Sequence, residues 1–79
     1  MLAIVILNYN GRSFLERFLP SVVAHSEGAE VYLADNASSD DSVSFVEKKY
    51  SDRIKIIRLA KNYGFAEGYN QALRQINTE

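Results

Sequence analysis

The sequence predicts an α/β fold in which three strands alternate with three helices, in the order βαβαβα. Short apolar runs recur along the chain, and each one is followed by a segment with apolar residues at helical spacing. The connections between these segments are short, and parallel crossovers are right-handed in nearly all proteins. We therefore expect a parallel sheet in spatial order 3-2-1 with helices on both faces, a three-layer α/β/α half-unit of Rossmann-like type.

The first unit begins with Leu2–Leu7 (LAIVIL), whose apolar residues predict a strand that is buried on both faces. Ser13 and Glu16 form a capping-box pair, which predicts the start of the first helix. Pro20 should kink or tighten this helix, and Gly28 is a plausible end. The expected buried stripe of the helix comprises Phe14, Leu15, Phe18, Leu19, Val22 and Val23.

The second unit begins with a strand over Glu30–Asp35. Ser38 or Ser39 is expected to cap the following helix, which places Asp40 and Asp41 in a first turn where the helix dipole favours acids. The expected apolar stripe comprises Val43, Val46 and Tyr50.

The third unit begins with Ile54–Leu59, which alternates in part and therefore suits a strand nearer an edge. In the last helix, Gly68 costs about 1 kcal/mol relative to Ala, so a strand or a ligand should lie close to its backbone. The predicted buried face of this helix comprises Phe65, Tyr69, Leu73 and Ile76.

The predicted strand order places Leu2–Leu7 at an edge, although edge strands are usually short, charged or bulged. We therefore expect a further strand from beyond Glu79 to pair with it. On this interpretation residues 1–79 are the nucleotide-binding front segment of a larger domain. We also expect the isolated chain to associate with itself along this edge.

Composition excludes several classes of protein. A net charge of −1 argues against a general nucleic-acid binder, which would carry a basic face. The absence of cysteine excludes disulfides and thiolate metal sites. Apolar runs are far shorter than the roughly 20 residues that span a bilayer. A cytoplasmic location is expected.

Three polar segments follow the predicted strands, namely Asn8–Gly11, Asp35–Ser38 and Lys61–Gly64. In open parallel sheets ligands bind at the carboxyl ends of the strands, so these segments form the candidate site. The sequence contains no G-x-G-x-x-G and no P-loop motif, which argues against dinucleotide or ATP binding. Neither a metal cluster nor a nucleophile–base pair is visible, and no catalytic residue is predicted.

Asp35 is the sharpest candidate in these segments. Its carboxylate could accept a hydrogen bond from N3–H of uracil or thymine but not from cytosine, and an unpaired buried group costs about 1–3 kcal/mol. An equally weighted alternative is that Asp35 organises the Asn36–Ser39 turn. Tyr9 could stack on a flat base or lie half-buried at the rim of the sheet.

At these residues the chain resembles family 2 glycosyltransferases of the GT-A fold. Four segments carry the resemblance: Ile4–Gly11 (IVILNYNG), the spaced Leu15 and Leu19, Val31–Ser42 (VYLADNASSDDS) and Asn62–Asn70 (NYGFAEGYN). The last two are particularly similar to the rhamnosyltransferase-type branch. Together these segments extend over essentially the whole chain.

The resemblance implies transfer of a sugar from a UDP- or dTDP-sugar to a glycan or lipid-linked acceptor, in cell-wall or polysaccharide biosynthesis. It also implies a divalent metal, Mg²⁺ or Mn²⁺, in the full-length enzyme, which would act in the cytoplasm at the inner face of the membrane. The implied nucleotide-binding residues are Asn8, Tyr9, Asn10, Asp35, Asn36, Lys61, Asn62 and Gly64. The metal-binding D-x-D motif of the family would follow the last helix, so we expect no metal and no transferase activity from this chain alone.

Two alternatives remain open. One is a receiver-type flavodoxin-like module, which needs acids after the first strand and an acceptor Asp after the third. This chain has Asn-Tyr-Asn and Leu-Ala-Lys at those places, which argues against a receiver. The other alternative is a structural module whose polar loops only cap helices.

Overall fold

A computed structural model describes residues 2–76 and confirms the alternating α/β order. The elements are β1 (Leu2–Asn8), α1 (Arg12–Ala24), β2 (Ala29–Asp35), α2 (Ser42–Tyr50), β3 (Ile54–Arg58) and α3 (Gly64–Ile76). None of the helices in this part of the chain has the length and apolar character that crossing a membrane requires.

The three strands form one parallel sheet in the order β1-β2-β3, which confirms the predicted topology. The register pairs Asn8 with Asp35 and Asp35 with Arg58, so the carboxyl ends of the strands are aligned. This alignment brings the three following loops to one end of the sheet.

Two apolar clusters lie on opposite faces of the sheet, which gives the expected three layers. On one face, Leu15 of α1 and Val46 of α2 pack with Leu33, which is completely buried. On the other face, Ala72 of α3 packs with Ala34. β1 is less buried than predicted, because it lies at the edge of the described sheet: Leu2 is exposed and Ile4 is only partly buried.

The predicted helix starts are wrong for α1 and α2. α1 begins at Arg12 after Gly11, with no side-chain cap, because Ser13 already lies within the helix. α2 begins at Ser42 after Asp41, so Asp40 and Asp41 precede the helix. The reason is that the segment from residue 38 to residue 40 bonds to the loop after β1 and is not free to start the helix.

The predicted face of α3 is wrong for three of its four residues. Phe65, Tyr69 and Leu73 are exposed, whereas Gly68 and Ala72 are buried against the sheet. A Cβ atom at Gly68 would lie 3.1 Å from Leu7 Cδ1. The helix therefore approaches the sheet through Gly68 and Ala72, and of the four large apolar residues only Ile76 packs against the same core cluster.

Candidate functional site

A cavity of about 480 Å³ lies at the carboxyl end of β1, a size typical of small-molecule sites. All three strand-to-helix connections contribute to its wall. The lining residues are Leu7, Asn8, Tyr9, Gly11, Phe14, Asn36, Asn62, Gly64 and Phe65. None of these carries a charged side chain, so the cavity presents amides, aromatic rings and backbone.

The structure brings five of the predicted nucleotide-binding residues to this cavity: Asn8, Tyr9, Asn36, Asn62 and Gly64. Asn10, Asp35 and Lys61 are not among the lining residues. Sequence reasoning missed Phe14 and Phe65 as site residues because both fit the helical stripes that we assigned to the core. Their positions in the first turns of α1 and α3 are the signal that would have indicated a place beside the loops.

Asp35 is buried, and its carboxylate accepts three hydrogen bonds. Oδ1 accepts from Asn8 Nδ2 at 2.8 Å and from Ser38 Oγ at 2.7 Å, and Oδ2 accepts from the Ser38 amide at 2.9 Å. These contacts support the turn-organising alternative for Asp35. Its direct contact with a pyrimidine imide stays a prediction.

Asn8 links Asp35 to the wall of the cavity. Its Nδ2 group donates to Asp35 and to Ser38 Oγ, and its Oδ1 accepts from the Gly11 amide at 3.2 Å. A Cβ atom at Gly11 would lie only 2.5 Å from Asn8 Oδ1. Gly11 is therefore needed because the Asn8 side chain occupies the space beside it.

Asn10 joins the loop after β1 to the loop after β2. Its amide donates to Ser38 Oγ at 2.9 Å, and its Oδ1 accepts from the amides of Ser39 and Asp40 at 2.7 and 3.1 Å. Asn10 and Ala37 have positive φ angles of 52° and 63°, which few residues other than glycine adopt. The two loops thus form one hydrogen-bonded unit with a strained backbone conformation in each.

The same unit contains a carboxyl group with a shifted pKa. Burial acts to raise the pKa of Asp40, but hydrogen bonds from the Ser42 hydroxyl and amide and from the Arg12 amide outweigh it. The pKa of Asp40 is therefore held below the ordinary value for aspartate. These bonds tie the start of α2 to the start of α1.

Asn36 joins the loop after β2 to the loop before α3. Its Oδ1 accepts from the Tyr63 amide at 3.1 Å, and its Nδ2 donates to the Gly64 carbonyl at 3.0 Å. Gly64 has a φ of 79°, and its amide donates to Asn62 Oδ1 at 2.9 Å. A Cβ atom at Gly68 would lie 3.0 Å from Asn36 Nδ2, so this buried amide also sets how closely α3 can approach.

Charged groups lie around the cavity rather than in its wall. Lys61 is exposed, and its Nζ lies 5.3 Å from the centre of the Tyr63 ring, one residue before α3 begins. Across residues 2–76, no three His, Cys, Asp or Glu side chains are grouped closely enough to hold a metal ion. The described residues therefore do not by themselves supply a metal centre.

The chain was compared with known proteins. The family model described as glycosyl transferase family 2 matches residues 3–79. Among solved structures, the mannosyltransferase PcManGT from Pyrobaculum calidifontis, in complex with GDP-Man and Mn²⁺, superposes with a TM-score of 0.80 at 23% sequence identity. The match covers 94% of this chain and 24% of that one, so the present chain spans about a quarter of the length of that enzyme. No curated protein sequence matches.

The structural likeness agrees with the predicted fold class, a Rossmann-like half of a GT-A fold. The family match covers nearly every residue of the chain, including all three loops that line the cavity. The chain belongs to glycosyl transferase family 2.

Proposed function

We propose that the cavity binds the nucleotide of a sugar donor, UDP- or dTDP-linked, and that this chain is the nucleotide-recognition part of a hexosyltransferase that acts on a glycan or lipid-linked acceptor. The observation that carries the proposal is the composition of the cavity in a chain of this family. Its wall combines three amide side chains with three aromatic rings and contains no charge. Such a wall suits a flat, neutral, hydrogen-bonding group such as a nucleobase.

Aromatic contact supplies the first part of the proposed binding. Tyr9 is 52% exposed, and Phe14 and Phe65 expose even more of their surfaces beside it. Stacking of a base on an aromatic side chain is worth about 1–3 kcal/mol in nucleic-acid complexes. We propose that Tyr9 stacks on the base and that the two phenylalanines narrow the entrance.

Amide groups supply the polar part. The described bonds of Asn36 use one of its two N–H groups and one of the two lone pairs on Oδ1. The remaining donor and acceptor suit a base that offers both kinds of group. Asn62 and Gly64 border the nucleotide in this proposal, and Asn10 and Asp35 act beside the cavity.

The diphosphate is proposed to lie toward the start of α3. An anion is favoured at a helix N-terminus, and the exposed ammonium of Lys61 lies three residues before Gly64. Because no metal cluster is present in residues 2–76, no part of this proposal depends on a metal held by them. The divalent metal of the complete enzyme, its place at the inner membrane face, the rhamnosyltransferase-like branch and the role in polysaccharide synthesis stay predictions.

The test is a titration of the isotope-labelled chain with UDP, dTDP, GDP and CMP, followed through amide chemical shifts. GDP is included because the structural neighbour was solved with GDP-Man. We expect UDP and dTDP to shift the amides of Tyr9, Asn36 and Asn62, and the responses to CMP and GDP measure how far the cavity distinguishes one base from another. Silence with every nucleotide would favour the structural module with helix-capping loops.

Tyr9→Ala should weaken the response by about tenfold, which corresponds to about 1.4 kcal/mol of lost stacking. Tyr69→Ala is the matched control, because Tyr69 is also exposed but does not line the cavity. Equal responses from the two variants would refute the stacking role of Tyr9.

A further inference from the structure

We propose that Asp35 is a positioning residue for donor binding, and that it acts through Asn8 and Ser38 without touching the donor. This inference rests on the proposed function, because it concerns the same cavity. It differs from the direct contact between Asp35 and a pyrimidine imide that the sequence suggested.

The first observation is the location of the carboxylate. Asp35 is only 4% exposed and is not among the residues that line the cavity, whereas Asn8 and Asn36 are. Asp35 instead borders a separate depression of about 380 Å³, together with Ser38 and Arg58. A donor in the main cavity would meet Asn8 in the wall, and Asp35 lies behind it.

The second observation is the orientation of the Asn8 amide. The Nδ2 group of Asn8 donates to Asp35 Oδ1 and to Ser38 Oγ, while its Oδ1 accepts from the Gly11 amide. A carboxylate accepts hydrogen bonds and cannot donate them, so it fixes which end of the amide points toward it. Asp35 thereby keeps the oxygen end of the Asn8 amide turned toward Gly11, which also lines the cavity.

The third observation is the arrangement around the Ser38 hydroxyl. A hydroxyl has one hydrogen and two lone pairs. Ser38 Oγ donates to Asp35 Oδ1 and accepts from Asn8 Nδ2 and from the Asn10 amide, which uses all three. Because Asp35 takes the only hydrogen of the Ser38 hydroxyl, the oxygen of that hydroxyl can only accept, and it accepts from Asn8 and Asn10, the two neighbours of Tyr9.

These contacts predict how substitutions will act. Asp35→Asn replaces one acceptor oxygen with a donor, which must face either Asn8 Nδ2 or the Ser38 amide. Ser38→Ala removes the hydroxyl links but leaves the carboxylate and its charge in place. Both variants disturb the wall, although only the first one alters Asp35 itself.

The experiment measures the initial slope of the amide shift of Tyr9 against the concentration of UDP, dTDP and GDP. Four proteins are compared with the wild type: Asp35→Asn, Ser38→Ala, the exchange Asn8→Asp/Asp35→Asn, and Asp52→Asn as an exposed control outside the site. The exchange restores a donor–acceptor pair between residues 8 and 35 and leaves an oxygen to accept from the Gly11 amide. The Gly11 amide shift without nucleotide reports whether the local geometry is restored.

For a positioning role we expect Asp35→Asn and Ser38→Ala each to lower the slope by about tenfold, the size of effect that loss of one hydrogen bond to a charged group produces. The exchange should recover the slope to within about threefold of the wild type. Asp52→Asn should not change it.

If Ser38→Ala binds nucleotide as tightly as the wild type, the positioning role is overturned. That result is the one expected if the Asp35 carboxylate, which this variant keeps, contacts the nucleotide directly. Failure of the exchange to recover binding although the Gly11 shift returns would also overturn it. If the exchange variant fails to fold, Ser38→Ala decides alone. A wild-type chain that binds none of the three nucleotides refutes the proposed function, and this inference with it.

Discussion

Gly11→Ala is the substitution that tests the site geometry most directly. The Cβ atom would lie 2.5 Å from Asn8 Oδ1, a distance at which something must move. The φ of Gly11 is −106°, outside the left-handed region that favours glycine, so the expected obstacle is the Asn8 side chain. The Asn8 side chain must therefore rotate away, and its bonds to Asp35 and to the Gly11 amide are lost.

The expected loss of stability follows from these bonds. A buried hydrogen bond to a charged group contributes about 1.5–3 kcal/mol, whereas replacing glycine by alanine returns about 0.4–1 kcal/mol through the unfolded chain. We expect a net loss of about 2 kcal/mol. For a domain of this size that corresponds to a fall of about 8–16 °C in Tm. It is also a large part of the roughly 4–12 kcal/mol expected for a chain of this length.

Urea unfolding followed by far-UV circular dichroism measures this loss. The matched experiment repeats Gly11→Ala in an Asn8→Ala background, where the obstructing oxygen is absent. There the substitution should cost less than about 0.5 kcal/mol, which gives a coupling energy of about 2 kcal/mol between the two positions. The same loss in both backgrounds would refute the argument, since the cost would then not arise from contact with Asn8.

The remaining predictions concern the core, the acid response and the sheet edge. Leu33→Ala should lower the free energy of unfolding in urea by about 3 kcal/mol, because Leu33 is completely buried, whereas Leu73→Ala on the exposed face of α3 should lower it by less than about 1 kcal/mol. Equal losses would mean that Leu73 is packed in the core and would contradict its observed exposure. The pKa of Asp40 is lowered in the folded state, so its carboxylate stabilises the fold above the ordinary aspartate pKa, and this stabilisation is lost as pH falls through the folded-state pKa. Asp40→Asn should therefore make the free energy of unfolding fall less steeply below about pH 5, and the same slope in wild type and variant would oppose this. Self-association along β1 should appear as concentration-dependent sedimentation that Ala3→Lys abolishes, and a monomer at all concentrations would exclude it.

The strands and their order were predictable because their signals are local. The apolar residues of Val31–Leu33 and Ile54–Ile57 identify β2 and β3. Loops of a few residues join each strand to the next helix, and short connections permit few topologies. No local pattern in the sequence indicates the register of the strands, although the register determines which residues meet in the site. It places Asn8 beside Asp35 and so creates the bond between two residues 27 positions apart in the chain.

The loop network could not be predicted for the same reason. Ser38, Asp40 and Asn10 each suit a helix cap or a turn when judged by their neighbours in sequence. In the structure they bond across to another loop, because the aligned strand ends bring the two loops together. Pairing across the sheet therefore displaced the capping roles that local patterns favoured, and α2 begins two to three residues later than expected.

The error in the buried face of α3 has a different cause. Hydrophobic periodicity identifies the face with the most apolar surface, and it assumes that this face packs on the sheet. Here the sheet is approached by Gly68 and Ala72, four residues apart, and a Cβ atom at Gly68 would already lie only 3.0 Å from Asn36 Nδ2 and 3.1 Å from Leu7 Cδ1. The glycine that indicated a close approach was thus the better guide to the packed face.

The same displacement of apolar side chains builds the proposed site. Phe14 and Phe65 occupy the first turns of α1 and α3, and both expose more than half of their surfaces at the cavity. Had either ring packed into the core as its helical spacing predicted, the cavity would have lost an aromatic wall. The two phenylalanines that were wrongly assigned to the core are therefore the same residues that form the aromatic rim of the cavity. The small residues through which α3 approaches the sheet leave Phe65 free to line the mouth of the site.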